Sequence, residues 1–524
     1  VALDPGVYAS LPRFAAPRIG GPQRRGVVVL GAGPVGLALA AGLARHGTPC
    51  TVIEPRDQVS FGSRAICLSR RSLEILEGFG VAAPILAAGL PWTRGHSYWR
   101  RHKVLEFAMP YTAEDRHPPM LNLQQCFTEQ LLVEALAERP ETELRWGHRM
   151  QGLEARADGV ALRIAGPEGI YELAADWVVA CDGARSPARE ALGLRLEGTS
   201  YEGRYLIADI RLRSASPTER RAWFDPPSNP GSTVLMHRQP QDIWRIDYQL
   251  RDEEDAEAAQ QEAAVRARID AHLAGIGEPA EYDLVLISLY RAHCLTLDRY
   301  RHGRVIFAGD AAHLVPIFGV RGLNSGIDDA GNLAWKLAAV VRGESPASLL
   351  DSYSEERVFA ARENIRAARK STLFMTPPGR GHALLREAAL SLAVGEEFAR
   401  GLVNPRQSSA IAFPASALQT PEQGEWRAGP APGETLPSIP LGTTHVQALV
   451  GPRPTLLLAP GHAAAEAWCA GRQVVVLDAV AAVRLGLAAP GAGYLVRPDG
   501  HIAWRWQDFD AAALATALAR LMGH

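Results

Sequence analysis

From Gly26 to His46 the chain reads GVVVLGAGPVGLALAAGLARH. A β-branched run ends at Leu30, glycines follow at Gly31, Gly33 and Gly36, and from Leu37 onward the apolar spacing is helical. This is a strand, a glycine turn and a helix. Gly31 permits the tight turn, Gly33 lets the backbone approach a pyrophosphate, and Gly36 lets helix and strand pack closely. The helix N-terminus then offers free N–H groups to phosphate. A second strand-like run, Thr51 to Glu54, ends in an acid about 20 residues on, where a ribose hydroxyl would be held. Glu54, where a phosphorylated ribose would need an arginine, favours FAD or NAD.

Around this unit lie 524 residues, enough for two to four domains at roughly 100–200 residues each. A hydrophobic share of 47% with 21% charged residues is ordinary for a globular chain, and a net charge of −2 gives no electrostatic pull toward nucleic acid or a membrane. The six cysteines (Cys50, Cys67, Cys126, Cys181, Cys294, Cys469) are scattered, without a C-x-x-C pair or a His at ligand spacing. They predict buried thiols, with no disulfide framework and no metal site. Arg24-Arg25 ahead of an uncharged stretch superficially resembles an export signal or a membrane span. The five glycines and one proline in Gly26–Ala44, and the strand that follows, argue instead for a cytoplasmic protein with residues 1–25 as an N-terminal arm.

Two further segments do not belong to a simple NAD dehydrogenase. DWVVACDGARSPAR, residues 176–189, is a buried strand running into Asp182-Gly183. GDAAHLVPIFGVRGLN, residues 309–324, places Gly309-Asp310, a His, a Pro and a Gly-rich turn ahead of a helix. The stripe of that helix is Leu323, Ile327, Ala330, Ala334, Leu337 and Val341. One dinucleotide fold with two extra acidic-glycine turns predicts a single, tightly held cofactor.

With these three motifs in this order the chain resembles the class A flavoprotein monooxygenases, FAD-dependent aromatic hydroxylases of the para-hydroxybenzoate hydroxylase type. Its pattern is nearest to 3-(3-hydroxyphenyl)propionate hydroxylase and the phenol hydroxylases. The resemblance runs over roughly residues 26–370. It implies an α/β protein: a Rossmann-like FAD-binding domain (26–190 and 290–370) with an inserted mixed-sheet substrate domain (191–289 and part of 90–125). A connector (371–449) and a thioredoxin-like C-terminal domain (450–524) follow. Without a C-x-x-C that last domain is left packing or homodimer contacts. The resemblance also implies that Asp310 binds the ribityl chain and that Gly322, Leu323 and Asn324 present N–H groups to the flavin pyrimidine edge. Arg64, Gln124, Asp182 and Gly183 match further FAD contacts. The implied reaction consumes NADH or NADPH and molecular oxygen and hydroxylates a small phenolic ring through a flavin hydroperoxide. Rival outcomes are action on a larger polyketide-like substrate, by hydroxylation or Baeyer–Villiger insertion, and flavin reduction without oxygen.

The substrate side is less determined. Where the family commonly has a second proline after Pro316, this chain has Ile317-Phe318, which puts those two residues against the ring. Trp223, His237, Asp247 and Tyr248 are further substrate candidates, and Arg245, His313 and Pro316 are candidates for catalysis, His313 chiefly as loop support. In IWRIDYQL, residues 243–250, Arg245 and Asp247 share one strand face, while Trp244, Ile246 and Tyr248 share the other. Only one set can face the ring.

Overall fold

The computed structural model describes residues 5–8, 10–316, 318–403, 407–422 and 425–524. At the centre of the first sheet is β1 (Gln23–Leu30), followed by α1 (Pro34–Arg45) and β2 (Cys50–Glu54). Five strands run parallel in the order Val305–Phe307, Gly169–Ala180, β1, β2, Thr142–Trp146. Helices and loops cover both faces, which is why Val27–Leu30 and Cys50–Glu54 are buried throughout and read as continuous apolar runs. Pro34 sits in the first turn of α1, where its missing N–H costs nothing.

The second sheet has eight strands. Its labelled members are β3 (Arg94–Trp99), β4 (Glu197–Arg211), β5 (Arg220–Phe224), β6 (Thr233–Arg238), β7 (Ile243–Leu250) and β8 (Asp283–Thr296). The order is His313–Leu314, β8, β4, β7, β6, β5, β3, His102–Ala108. The polar–apolar alternation in these strands predicts one wet face, but β7 is buried at nearly every position. One face carries Trp244, Ile246 and Tyr248 with Trp223 and Met236, packed on Val265, Ile269 and Leu273 of the helix Glu262–Ile276. The other turns its polar side chains inward, against the first unit.

Two long helices follow, α2 (Gly322–Val341) and α3 (Leu349–Met375). α2 lies along α1 so closely that a Cβ at Gly42 would come 2.7 Å from the Ala334 methyl. The Pro- and Gly-rich stretch beyond residue 376 holds two more helices, Arg380–Gly395 and Glu397–Val403.

The C-terminal unit runs strand (Thr455–Leu458), helix, strand (Gln473–Val476), helix, β9 (Gly493–Val496), β10 (Ile502–Trp506), and the helix Ala511–Leu521. Its first two strands pair in parallel and the other pairs are antiparallel, in the order Gln473–Val476, Thr455–Leu458, β9, β10, which is the thioredoxin-like arrangement. All six cysteines are buried and unbridged. Among the described residues no helix is long and apolar enough to cross a membrane.

At the other end the chain departs from the irregular arm expected of it. Pro5–Tyr8 forms a helical turn whose Val7 and Tyr8 are buried, with the Tyr8 ring against Phe61 and Phe127. An aromatic and a Val are enough to bring this turn into the core.

Candidate active site

The three glycine-containing motifs converge. Gly31 has φ +101°, and a Cβ there would lie 2.5 Å from the Cys181 carbonyl oxygen, beside Asp182-Gly183. A Cβ on Gly36 would lie 2.0 Å from the Gly31 oxygen. Gly309, φ +61°, and Gly326 both close on the Val35 side chain, at 2.9 and 2.4 Å from a Cβ built on each. All four positions therefore exclude a side chain by contact, and Gly31 and Gly309 also use the backbone freedom of glycine. Glu54 Oε2 accepts the Ala32 N–H at 2.8 Å, and Arg56 Nε donates to its Oε1 at 2.7 Å, fixing the acid at the mouth of the glycine turn.

Asp310 stands in the 3-10 turn Gly309–Ala311 and remains exposed between buried neighbours, as does Arg64, whose backbone is left-handed at φ 38°. Surrounding protein raises the Asp310 pKa, while His313 and Arg64 pull it down. Gln124 caps the helix Gln125–Ala137 and is fully buried, yet its Oε1 has no partner among the described residues. Asp182 Oδ2 accepts the Ala188 N–H at 3.0 Å, and its Oδ1 is likewise without a partner. Burial raises the pKa of that carboxyl. The open Asp182 acceptor beside a turn cleared of Cβ atoms, together with the open acceptor on Gln124, fits a bulky polar ligand such as FAD. Gly31, Gly33 and Gly36, Glu54, Gln124, Asp182 and Asp310 are the residues that would hold it.

The Asn324 side chain is fully engaged elsewhere. Its Oδ1 accepts from Ser69 N at 2.8 Å and Ser72 Oγ at 2.7 Å, and its Nδ2 donates to Cys67 O at 3.1 Å, pinning the start of α2. Only the backbone of Gly322–Asn324 is left for a ligand. His313 is 1% exposed, and its Nε2 meets Asp329 Oδ2 at 2.7 Å. That contact ties the imidazole to the Gly-Asp turn as a support of the loop. Asp329 also accepts from Gly309 N at 2.9 Å and Arg357 Nε at 2.6 Å, so one buried carboxylate ties the Gly-Asp turn to α2 and α3. Its contacts with His313 and Arg357 hold its pKa below the usual value despite burial. Asp329 was not among the residues singled out from sequence: it lies off the apolar stripe of α2, and its burial is set by the contacts with Gly309 and α3.

On the second sheet the register decides which candidates face this cleft. Arg245 on β7 pairs with His237 on β6 and Asp209 on β4, and His237 pairs with Arg220 on β5, so all four point the same way. That way is inward: Arg245 Nη1 donates to the Arg64 carbonyl, and its Nε donates to Asp247 Oδ1 at 2.7 Å. Asp209, with its pKa raised to about 6 by burial, accepts from Tyr8 Oη at 2.9 Å and Ser63 Oγ at 3.1 Å. Phe318 packs edge-on to Tyr205 at 5.3 Å, in one cluster with Phe224, Leu235 and Met375. Pro316 is buried beside it, and Ile317 lies outside the described residues. Trp223 and Tyr248 point to the opposite face, Trp223 stacked on Tyr98 and against His272. Strand parity removes both from the substrate side. Arg220, Asp209 and Tyr8, unremarked in the sequence, take their place on the inward side.

A family described as FAD binding domain matches residues 24–368, and one described as aromatic-ring hydroxylase, C-terminal, matches residues 429–524. The chain belongs to the FAD-dependent aromatic-ring hydroxylases. Among the hydroxylases it resembles, the 3-(3-hydroxy-phenyl)propionate/3-hydroxycinnamic acid hydroxylase of Mycolicibacterium smegmatis is 32% identical over 361 residues. That match spans 69% of this chain and 63% of the relative's length. The 12-dehydrotetracycline 5-monooxygenase/anhydrotetracycline 6-monooxygenase of Streptomyces rimosus is 32% identical over 511 residues, 92% of this chain and 95% of that hydroxylase. Among solved structures, the flavin-dependent monooxygenase PieE, in complex with FAD and substrate, superposes with a TM-score of 0.79 at 25% identity. It covers 95% of this chain and 99% of its own.

Proposed function

We propose that this hydroxylase inserts one oxygen atom of O2 into a phenolic ring at the expense of NADH or NADPH. In balance, ring C–H, O2, NAD(P)H and a proton give ring C–OH, NAD(P)+ and water. The observation that carries the reading is the closure of an apolar sheet face, Tyr205, Phe224 and Leu235, onto Phe318, in the loop that joins Asp310 to the α2 N-terminus. An aromatic ring held there lies against the cofactor cleft and away from water.

Bound FAD supplies hydride acceptance from the nicotinamide and activation of oxygen. The chain supplies the setting. The N-terminus of α2 favours negative charge by about 0.3–1 kcal/mol, more when partly buried. Arg245 fixes the left-handed Arg64 through its carbonyl, and Phe318 with Tyr205 orients the ring and excludes water.

A polycyclic, polyketide-like phenol is a second reading, favoured by the tetracycline relative's match over 92% of the chain, C-terminal unit included. Anaerobic and aerobic turnover of the purified yellow protein with simple and polycyclic phenols tests both readings. Oxygen uptake with a product one oxygen atom heavier is expected. Stoichiometric NAD(P)H oxidation without oxygen uptake overturns the reading in favour of a reductase.

A further inference from the structure

The helix Arg380–Gly395 is apolar on two faces, and the second sheet covers only one of them. Leu390 and Ala393 are buried with Ala399 and Val403 of the short helix that follows, in the cluster that holds Val104, Phe224 and Phe318. On the other side Leu384, Leu385 and Leu392 stand 57%, 68% and 48% exposed. Phe398 and Leu402, on the short helix, are 74% and 64% exposed. Among the described residues thirteen large hydrophobic side chains are exposed, and six of them fall between Leu384 and Leu402. Single exposed apolar residues are ordinary on a protein surface, whereas a concentration of this kind marks an interface. The outer stripe, spaced at three and four residues, runs Gly381, Leu384, Leu385, Ala388, Leu392, Gly395 and holds no charge. A surface helix with water on that side would be polar there.

The pattern of the stripe says what covers it. Ala388 stands at its middle. Leu384 and Leu392 lie four residues to either side of Ala388, Gly381 and Gly395 seven, and Arg380 and Glu396 eight. Outward from Ala388 the face is thus symmetric in size and opposite in charge. Such a face is complementary to itself when a second copy runs antiparallel across a two-fold axis at Ala388, the isologous arrangement of most homodimers. Leu384 then meets Leu392 of the second copy, and Arg380 meets Glu396. In one copy alone both charges oppose the helix dipole, since Arg380 opens the helix and Glu396 caps its C-terminus, each of them exposed. Across the axis each lies beside a charge of the other sign. Nothing lies within 4 Å of a Cβ built on Gly381 or Gly395, so no contact inside the chain calls for glycine there, while a second helix crossing closely does. A lipid surface fits less well. Residues 380–403 carry three Arg and three Glu, without the basic excess that draws an amphipathic helix to a membrane.

We propose that the outer face of the helix Arg380–Gly395 is a homodimer interface, in which two copies of that helix pack antiparallel about Ala388. Two helices of about 24 Å by themselves bury less than the roughly 1,200–2,000 Å2 of a standard interface. Phe398 and Leu402 add to the area, and the dimer is a reversible one with a Kd on the order of micromolar. The inner face of the same helix packs in the cluster with Phe318, so the second copy backs that cluster from outside.

The test uses the whole FAD-loaded chain, with its mass read by sedimentation velocity from well below to well above micromolar concentration. The wild-type protein is expected to pass from monomer to dimer across that range. Leu384→Glu combined with Leu392→Glu should stay monomeric with FAD content and thermal midpoint kept. Val480→Glu combined with Val483→Glu, on the other exposed apolar pair in the C-terminal unit, should dimerise as the wild type does. Arg380→Glu and Glu396→Arg should each raise the Kd by about threefold to tenfold, because every dimer holds that contact twice. The two changes together restore opposite charges across the axis, and the Kd should return toward the wild-type value. A wild-type protein that remains monomeric overturns the proposal, and if that monomer floats with vesicles of phosphatidylcholine and phosphatidylserine, lipid takes the face instead. A dimer that survives Leu384→Glu with Leu392→Glu, or is lost through Val480→Glu with Val483→Glu, overturns it as well. A double charge variant that dimerises no more tightly than the single ones overturns the antiparallel pairing about Ala388.

Discussion

At the scale of single residues, Asp310 and Phe318 occupy one loop and carry separable tasks. Asp310 is an exposed acid in the turn Gly309–Ala311, while Phe318, at 2% exposure, packs in the apolar cluster with Tyr205, Phe224 and Leu235. Asp310→Ala is expected to purify with most of its FAD lost, as read from the ratio of flavin to protein absorbance. Phe318→Ala should keep FAD and release more hydrogen peroxide per NAD(P)H consumed, since a truncated wall orients the ring poorly and admits water. If Phe318→Ala lost the cofactor and Asp310→Ala kept it, the assignment of this loop would be reversed. Gly31, Gly36, Gly309 and Asp310 were legible in the sequence because only glycine meets their steric demands and the acids follow at fixed spacing. Asp329 and Arg220 were not singled out, because their significance lies in who meets them. Asp329 is met by Gly309 N and Arg357, and Arg220 is left without an acceptor. Those facts belong to the fold.

At the scale of elements, the strands of the second sheet illustrate what periodicity can and cannot give. Alternation in β7 placed Arg245 and Asp247 on one side and Trp244, Ile246 and Tyr248 on the other. The choice of side follows from the helix Glu262–Ile276, which covers the aromatic set. The helical turn Pro5–Tyr8 is the clearest departure from expectation. A Pro- and Gly-rich stretch has no period to read, yet Tyr8 reaches Asp209, which lies opposite Arg245 in the sheet, and Arg245 in turn holds the Arg64 carbonyl. Tyr8→Phe keeps the ring packing and removes one hydrogen bond to a buried carboxylate, a loss of about 1.5–3 kcal/mol. Denaturant unfolding should show that loss, and the variant's flavin spectrum should shift if the relay to Arg64 is intact. A stability loss with an unchanged spectrum would reduce the turn to a packing role.

At the scale of the whole molecule, the Asp499-Gly500 turn joins the C-terminal unit to the first. The turn between β9 and β10 is inserted into the first unit and buried there. Arg497 donates to Glu356 of α3 at 2.7 and 2.9 Å and to Asp499 Oδ2 at 2.6 Å. Lys336 of α2 joins Glu356 at 2.8 Å, and Trp335 Nε1 reaches Asp499 at 3.2 Å. Arg71 donates to the Asp499 carbonyl, so the thioredoxin-like unit is fastened to the same helix that opens at the flavin cleft. Arg497 and Lys336 hold Glu356 far below the ordinary carboxylate range, and Arg497 does the same for Asp499, in spite of burial. A carboxyl whose folded pKa is depressed contributes stability that is complete above its unfolded value, near 4, and is lost as the pH falls through that value toward the folded one. The folded protein should therefore lose stability progressively below about pH 5. Glu356→Gln leaves Arg497 and Lys336 short of an acceptor and is expected to cost about 3–5 kcal/mol near neutrality, the usual penalty for breaking a buried pair. Its unfolding midpoint should also fall less steeply than that of the wild type between pH 5 and 3, because the group that takes up the proton on unfolding is gone. Denaturant midpoints measured for both proteins over that range decide the matter. Parallel curves would mean that Glu356 does not carry the acid response, and that the fastening of the C-terminal unit rests on Asp499 and packing instead.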